Sequence, residues 1–200
     1  MPLIYNSWND HRVGADILCF MTGYNDPRLE KMFLMSTGDN PQYVGIRIGS
    51  TVSKKSEAID AYSNLIVNSD SPILWMNAAE VNFLLAEYQL RFAGDKAKAK
   101  EYYENGIRLS FAEKGASGVD DYLADASSTP VQYIDPLGKY SAASKTTECK
   151  VAWDEKGDEE TNLEQIITQK WIAIFPLGNE AWAEYRRTGY PKLLPAPQNL

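Results

Sequence analysis

Twenty-seven Asp and Glu side chains and a single histidine set the chemistry open to this chain of 200 residues. With His11 alone, a catalytic histidine pair, a His-rich metal site or an H-E-x-x-H motif cannot form, and neither G-x-S-x-G nor a Gly-rich phosphate loop with a lysine occurs. His11, next to Arg12, reads as an ordinary hydrogen-bonding side chain. Carboxylates remain. Two opposed ones suffice for glycoside hydrolysis, so the residue types leave a glycoside hydrolase open. The run Asp154-Glu155-Lys156-Gly157-Asp158-Glu159-Glu160 could attract calcium, but it lacks the alternating ligand spacing of an EF-hand loop and reads as a solvated acidic loop; no cofactor is expected. Glu80 and Glu87 differ from these. They stand seven apart in an apolar segment, nearly two helical turns, so both project from one side where a bare carboxylate is costly. Lys170, Arg186 or Arg187, in a terminal segment of net charge +2, is expected to reach one of them and tie the last helices to the central one.

The elements that must hold these groups are helices. Hydrophobic residues make up 44% of the chain and aromatics 12%, enough for a substantial core. A net charge of −7 removes the counterion-release term behind most nucleic-acid binding, so no nucleic acid is expected as a partner. No apolar run reaches the ~20 residues of a membrane-spanning helix, since Glu80, Glu87 and Arg91 interrupt the densest one. The start, Met1 to Trp8, turns polar at once and has no signal-peptide pattern, and no small-residue cleavage site precedes Cys19. Cys19 and Cys149 can be one bridge or two thiols, with thiols favoured.

Pro72 at a first helical position, capped by Asp70 or Ser71, predicts a helix from Ile73 to Ala93. Its apolar stripe, Val81, Leu84, Leu85, Tyr88 and Phe92, marks it as central and covered. Gly94 stops it, Asp95 caps the next helix, and Ala99, Tyr102, Tyr103, Gly106, Ile107, Ser110 and Phe111 form a second stripe. The short connection makes an antiparallel hairpin in which Ala99, Gly106 and Ser110 permit close approach. Thr161-Asn162-Leu163-Glu164 has capping-box spacing and predicts a helix to Phe175. After the break at Pro176 and Gly178, residues 179–187 predict another, with Ala181, Trp182 and Tyr185 inward. The tail from Leu193 reads as extended or loose. Of the first 70 residues, 10–24 read as helix and 43–50 as an extended segment. The chain thus divides into a helical pair at 72–114, a loop excursion at 115–160 and terminal helices at 161–190, all within one region, 1–200.

Ala93-Gly94-Asp95 followed by Ala97-x-Ala99-x-x-Tyr102-Tyr103-Glu104 resembles a tetratricopeptide repeat. Three further segments accompany it: Gly23-Tyr24-Asn25-Asp26-Pro27-Arg28-Leu29, Asn77-Ala78-Ala79-Glu80-Val81-x-Phe83-Leu84-x-Ala86-Glu87, and Ile166-Ile167-x-Gln169-Lys170-Trp171-Ile172-Ala173 through Glu180-Ala181-Trp182-x-Glu184-Tyr185-Arg186-Arg187-Thr188-Gly189-Tyr190-Pro191. In this order they resemble the C-terminal part of the SusD/RagB nutrient-binding outer-membrane lipoproteins of Bacteroidetes. The resemblance implies a mainly α fold, an α/α superhelix of tetratricopeptide-like hairpins with long irregular loops. It also implies a fragment of a longer protein, since members carry a signal peptide, a lipid-bearing cysteine and earlier helical repeats. The implied function is starch-type glycan or other nutrient capture at the cell surface, without catalysis, for a SusC-type TonB-dependent transporter.

Sugar capture needs an exposed ring flanked by hydrogen-bonding groups, because a pyranose packs its C–H face on a π surface while amides and carboxylates bond its hydroxyls. Trp8 beside Asn9, Tyr43 beside Gln42, and Trp153 beside Asp154 answer that description, so Trp8, Asn9, Tyr43 and Trp153 are the candidate ligand contacts. Trp75, Trp171 and Trp182 fall on helical faces and read as core. A protein-interaction adaptor, holding a peptide in a helical groove, is the alternative from another class.

Overall fold

A computed structural model describes residues 9–197, and two compact units share the chain. One comprises the stretches up to Pro72, Pro130–Glu148 and the tail from Leu193; the other comprises Ile73–Thr129 and Cys149–Lys192.

In the first unit, helix α1 (Ala15–Gly23) is buried over Ala15 to Met21, which explains its weak amphipathic pattern in sequence. The chain then turns at Asn25, whose φ is +50°, and Asp26 fixes the turn by accepting from the Arg28 backbone N–H and from Nε, each at 2.9 Å. Both of these side chains are completely buried, so each neutralises the other out of water. Helix α2 (Leu29–Met32) leads into strand β1 (Phe33–Leu34), and helix α3 (Lys55–Ala61) precedes β2 (Asn64–Leu65). The strands are antiparallel, with Phe33 opposite Leu65. Residues 43–50 make only one bridge, Ile46 with Gly14. That contact needs glycine at 45, where a Cβ would lie 2.3 Å from the Gly14 carbonyl oxygen. The described part of the tail is pinned rather than loose: Leu194 N–H donates to Asp16 Oδ1 at 2.6 Å, and Arg47 donates to the carbonyls of Pro195 and Tyr140.

The second unit is helical. Helix α4 (Ala78–Tyr88) passes into a π-helical turn, Gln89–Ala93, that ends at Gly94 with φ +69°. Helix α5 (Lys96–Lys114) follows, capped by Asp95 Oδ1 on the Lys98 N–H at 2.9 Å. Its buried residues, Ala99, Tyr103, Gly106, Ile107, Ser110 and Phe111, are the small and aromatic positions of the sequence stripe. At Gly106 a Cβ would meet the Phe83 ring at 2.9 Å, so the two backbones approach as closely as glycine permits. Helices α6 (Val119–Ala124), α7 (Glu159–Ala173) and α8 (Gly178–Thr188) complete the unit. The architecture is the mainly α one expected.

Three boundaries differ from the expectation. Helix α4 begins at Ala78, not near Pro72, because Asn77 caps it by accepting from the Glu80 N–H at 2.8 Å. Helix α7 begins before Thr161 because Asp158 accepts from both the N–H and the hydroxyl of Thr161, at 2.8 and 2.7 Å. Helix α1 begins at Ala15, five residues into the expected 10–24. No helix among the described residues is long and apolar enough to cross a membrane, and neither Cys19 nor Cys149 takes part in a disulfide.

Candidate ligand-binding surface

In the first unit two clefts contain sequence-nominated residues. Asn9, with φ +56°, lines a cleft of ≈ 410 Å³ together with Asp10, His11, Arg12, Ile46 and Lys55. Arg12 organises its mouth, donating from Nη1 to Asn9 Oδ1 at 2.9 Å and from Nε to the Ala58 carbonyl at 3.2 Å. Burial lowers the Arg12 pKa against the opposing pull of Asp60. Lys55 pairs with Asp10. The polar side chains share the lining with a larger apolar area that includes Ile46, Val52 and Ile59.

Tyr43 is half-buried and lines a different cleft, of ≈ 170 Å³, with Thr22, Gln42, Gln132 and Ile134. Its position follows from its neighbours. The Val44 N–H donates to Ser63 Oγ at 3.0 Å, the Ser63 N–H returns to the Val44 carbonyl at 2.8 Å, and the Ile46 N–H reaches the Val13 carbonyl at 2.8 Å. A ring beside two carboxamides and a hydroxyl can receive a sugar face and bond its hydroxyls. Gln132 and Thr22 were not nominated from sequence, because only the fold brings 131–134 and 22 beside 42–45. Trp8 lies outside the described residues.

Trp153 is corrected. It is 8% exposed, and its ring lies 5.3 Å from that of Tyr103 within the second unit. Gln165 draws the preceding loop down, donating to the carbonyls of Lys150 and Ala152 and accepting from the Asp154 N–H. Trp153 is therefore core. Trp75 and Trp182, read as core, are instead exposed, at 88% and 59%, while Trp171 is half-buried. Tyr185, expected inward with Trp182, is half-buried and stacks on it, and Glu184 is the residue α8 buries.

Three carboxylates of the run 154–160 have defined partners. Asp154 closes a turn on the Lys156 and Gly157 N–H groups, Glu155 pairs with Lys100 at 2.6 Å, and Asp158 caps α7. Among the described residues no group of three or more His, Cys, Asp and Glu side chains is placed to hold a metal ion.

Glu80 and Glu87 are buried on one side of α4 and meet cations there. Lys170 Nζ, on α7 and 1% exposed, lies 3.0 Å from Glu184, 3.3 Å from Glu180 and 3.6 Å from Glu80. Arg187 on α8 makes two parallel hydrogen bonds to Glu87, with Nη2 to Oε2 at 2.6 Å, and reaches Glu184 Oε2 at 2.6 Å. Arg91 adds a contact to Glu87 at 3.1 Å. Arg186 is exposed and stands outside this cluster. The two carboxyls differ electrostatically. Burial raises the Glu80 pKa more than Lys170 lowers it, whereas at Glu87 the same effect of burial is outweighed by Arg187 and Arg91, leaving its pKa below the ordinary value. The cluster is a clamp between helices, with every member committed to another.

Comparison with known proteins gives these features their context. A family model described as "Susd and RagB outer membrane lipoprotein" matches residues 1–200. A SusD homologue of known structure from Bacteroides thetaiotaomicron is 50% identical with a TM-score of 0.90, covering 96% of this chain and 41% of its own. One from Bacteroides uniformis is 46% identical with a TM-score of 0.90, over 98% of this chain and 41% of its own. One from Flavobacterium johnsoniae, described as a chitin-binding SusD homologue, is 44% identical with a TM-score of 0.90, over 96% and 40%. No curated protein matches. The chain spans about two-fifths of the length of these relatives. By family model, identity and backbone alike, it belongs to the SusD/RagB family of outer-membrane lipoproteins.

Proposed function

We propose that this chain is part of a glycan- or nutrient-binding component of an outer-membrane uptake system, capturing its ligand non-covalently and passing it to a SusC-type TonB-dependent transporter. The observation that carries the reading is the Flavobacterium relative, 44% identical over nearly the whole chain and described as chitin-binding. The Tyr43 cleft supports it chemically, since the ring has Gln42, Gln132 and Thr22 around it. In this reading Tyr43 packs on the saccharide ring, and Asn9, with Trp8 beside it in sequence, contributes from the other cleft. No reaction is assigned: the buried carboxylates Glu80 and Glu87 serve as clamp groups.

Affinity electrophoresis of the purified chain through gels containing soluble glycans, glycol chitin and starch among them, tests this. Retardation without released reducing ends is expected, lost in Tyr43→Ala and weakened in Asn9→Ala. Migration unaffected by every glycan would overturn the capture reading, and released reducing sugar would overturn the absence of catalysis.

A further inference from the structure

The two clefts of the first unit differ in charge. Asp10, Arg12 and Lys55 line the cleft at Asn9, whereas among the described residues none that lines the Tyr43 cleft is charged. The polar groups there are amides and hydroxyls: Thr22, Gln42 and Gln132 are exposed around the half-buried Tyr43. Gln132 is set in one orientation, because its Nε2 donates to the Ala142 carbonyl at 2.7 Å and only the nitrogen end can do so, which leaves Oε1 as an acceptor. The side chains of Thr22, Gln42 and Tyr43 make no hydrogen bond among the described residues and are open to a ligand. Val131 and Ile134, also exposed, add hydrocarbon to the lining. At ≈ 170 Å³ the cleft is smaller than the ~300 Å³ at which pockets for drug-sized ligands begin, so a single sugar unit of a chain fills it.

Beneath this lining lies a charge of one sign. Tyr133, a buried member of the lining, donates its hydroxyl to Asp135 Oδ1 at 3.5 Å. Asp135 is itself buried and is held by neutral donors, the Tyr62 hydroxyl at 2.8 Å and the N–H groups of Lys139 and Tyr140, each at 2.9 Å. These hydrogen bonds outweigh the effect of burial and keep its carboxyl below the ordinary carboxylate range, so it is ionised at neutral pH. Its neighbours in the chain do not neutralise it: the Lys139 ammonium pairs with Glu57 at 3.9 Å. Arg47, the buried cation of the same stretch, donates to the carbonyls of Tyr140, Ser141 and Pro195 instead. A carboxylate or sulfate on a sugar would therefore lose hydration in the cleft, find no cation, and stand in the field of Asp135, whereas hydroxyl and acetamido groups meet donors and acceptors that suit them.

We infer that the Tyr43 cleft selects by charge, accepting an uncharged saccharide unit and rejecting uronic acids and sulfated sugars. The inference rests on the capture reading and names the class of glycan that this site takes. Its test is affinity electrophoresis of the purified chain through two matched pairs of polymers, starch with carboxymethyl starch and glycol chitin with carboxymethyl chitin. Binding of a neutral polymer is expected, lost in Tyr43→Ala and about tenfold weaker for its carboxymethylated partner. Because the chain's net charge of −7 also repels a polyanion, two variants that each change that charge by +1 separate the cleft from the whole molecule. Ile134→Lys, at a position 61% exposed in the lining, should strengthen binding of the carboxymethylated polymer about tenfold, and Glu101→Gln, on an exposed face of the other unit, by less than about twofold. Equal affinity for both members of a pair would overturn the selectivity while leaving capture standing. So would an equal gain in the two variants, no gain in Ile134→Lys, or discrimination that persists in Tyr43→Ala. Failure to bind either neutral polymer would overturn the capture reading and the selectivity with it.

Discussion

The two sides of α4 invert the usual relation between polarity and burial. On the covered side lie two carboxylates, Glu80 and Glu87, held by Lys170 and Arg187; on the open side lie Val81, Leu84, Leu85, Tyr88 and Phe92. Charge is inside because it is paired, and hydrocarbon is outside because nothing in this unit covers it. A paired buried charge fixes geometry more than it adds stability, since desolvating both ions offsets most of their attraction. An apolar stripe, by contrast, specifies only that something must cover it. The covered side therefore explains how α4, α7 and α8 are aligned.

Breaking the covered side should have the largest effect. Lys170→Met leaves Glu80 and Glu184, both nearly buried, without their common cation, and should cost about 3–5 kcal/mol in urea unfolding. A loss below ~1 kcal/mol would show the carboxylates are solvated on their own. Gly106→Ala should cost about 1–3 kcal/mol by forcing a Cβ against the fully buried Phe83 ring, outweighing the ~1 kcal/mol gain in helix propensity. If the variant is stabilised, α4 and α5 stand further apart than described.

The two glutamates sharpen the comparison further because their shifts have opposite signs. The Glu87 pKa is lowered, so its contribution is present above the ordinary carboxylate value and is lost as pH falls through the depressed one. The Glu80 pKa is raised, so its protonated form favours folding at low pH and that contribution disappears as pH rises through the raised value. At pH 7 Glu87→Gln should therefore destabilise by about 1–2 kcal/mol, at the low end for a charged pair because Arg187 is partly exposed, while Glu80→Gln should fall within about 1 kcal/mol of the parent. Stability measured from pH 7 down to 3 should decline less steeply in Glu87→Gln than in the parent. Identical pH profiles would remove the distinction between them. The smallest effect belongs to the open side: Val81→Ser should change the stability of this chain by about 0.5 kcal/mol or less, because the side chain is largely open to solvent.

These contrasts also show what could be read in the residues. Helix α5 was legible because three independent signals agree there: Gly94 and Asp95 punctuate its start, charged residues occupy the solvent face, and the small positions recur at helical spacing. The need of Glu80 and Glu87 for cations followed from placing charge in an apolar run. The burial of α4 was misjudged because periodicity locates an apolar face without saying whether the chain in hand supplies its cover. Trp153 and Trp75 exchanged expected roles for a related reason. A loop aromatic becomes core when a distant side chain, here Gln165, draws the loop down, and a residue before a helix stays open when the cap lies later, here at Asn77. The Tyr43 cleft was half legible: the ring and Gln42 are adjacent in sequence, whereas Thr22 and Gln132 join them only through long-range backbone pairing.

Hydroxyl-radical footprinting of this chain tests the inverted sides of α4 most directly. Tyr88 and Phe92 should oxidise readily while Phe83 and Tyr103 stay protected. Protection of Tyr88 and Phe92 in the monomeric chain, or oxidation of Phe83 and Tyr103 at a comparable rate, would contradict the account.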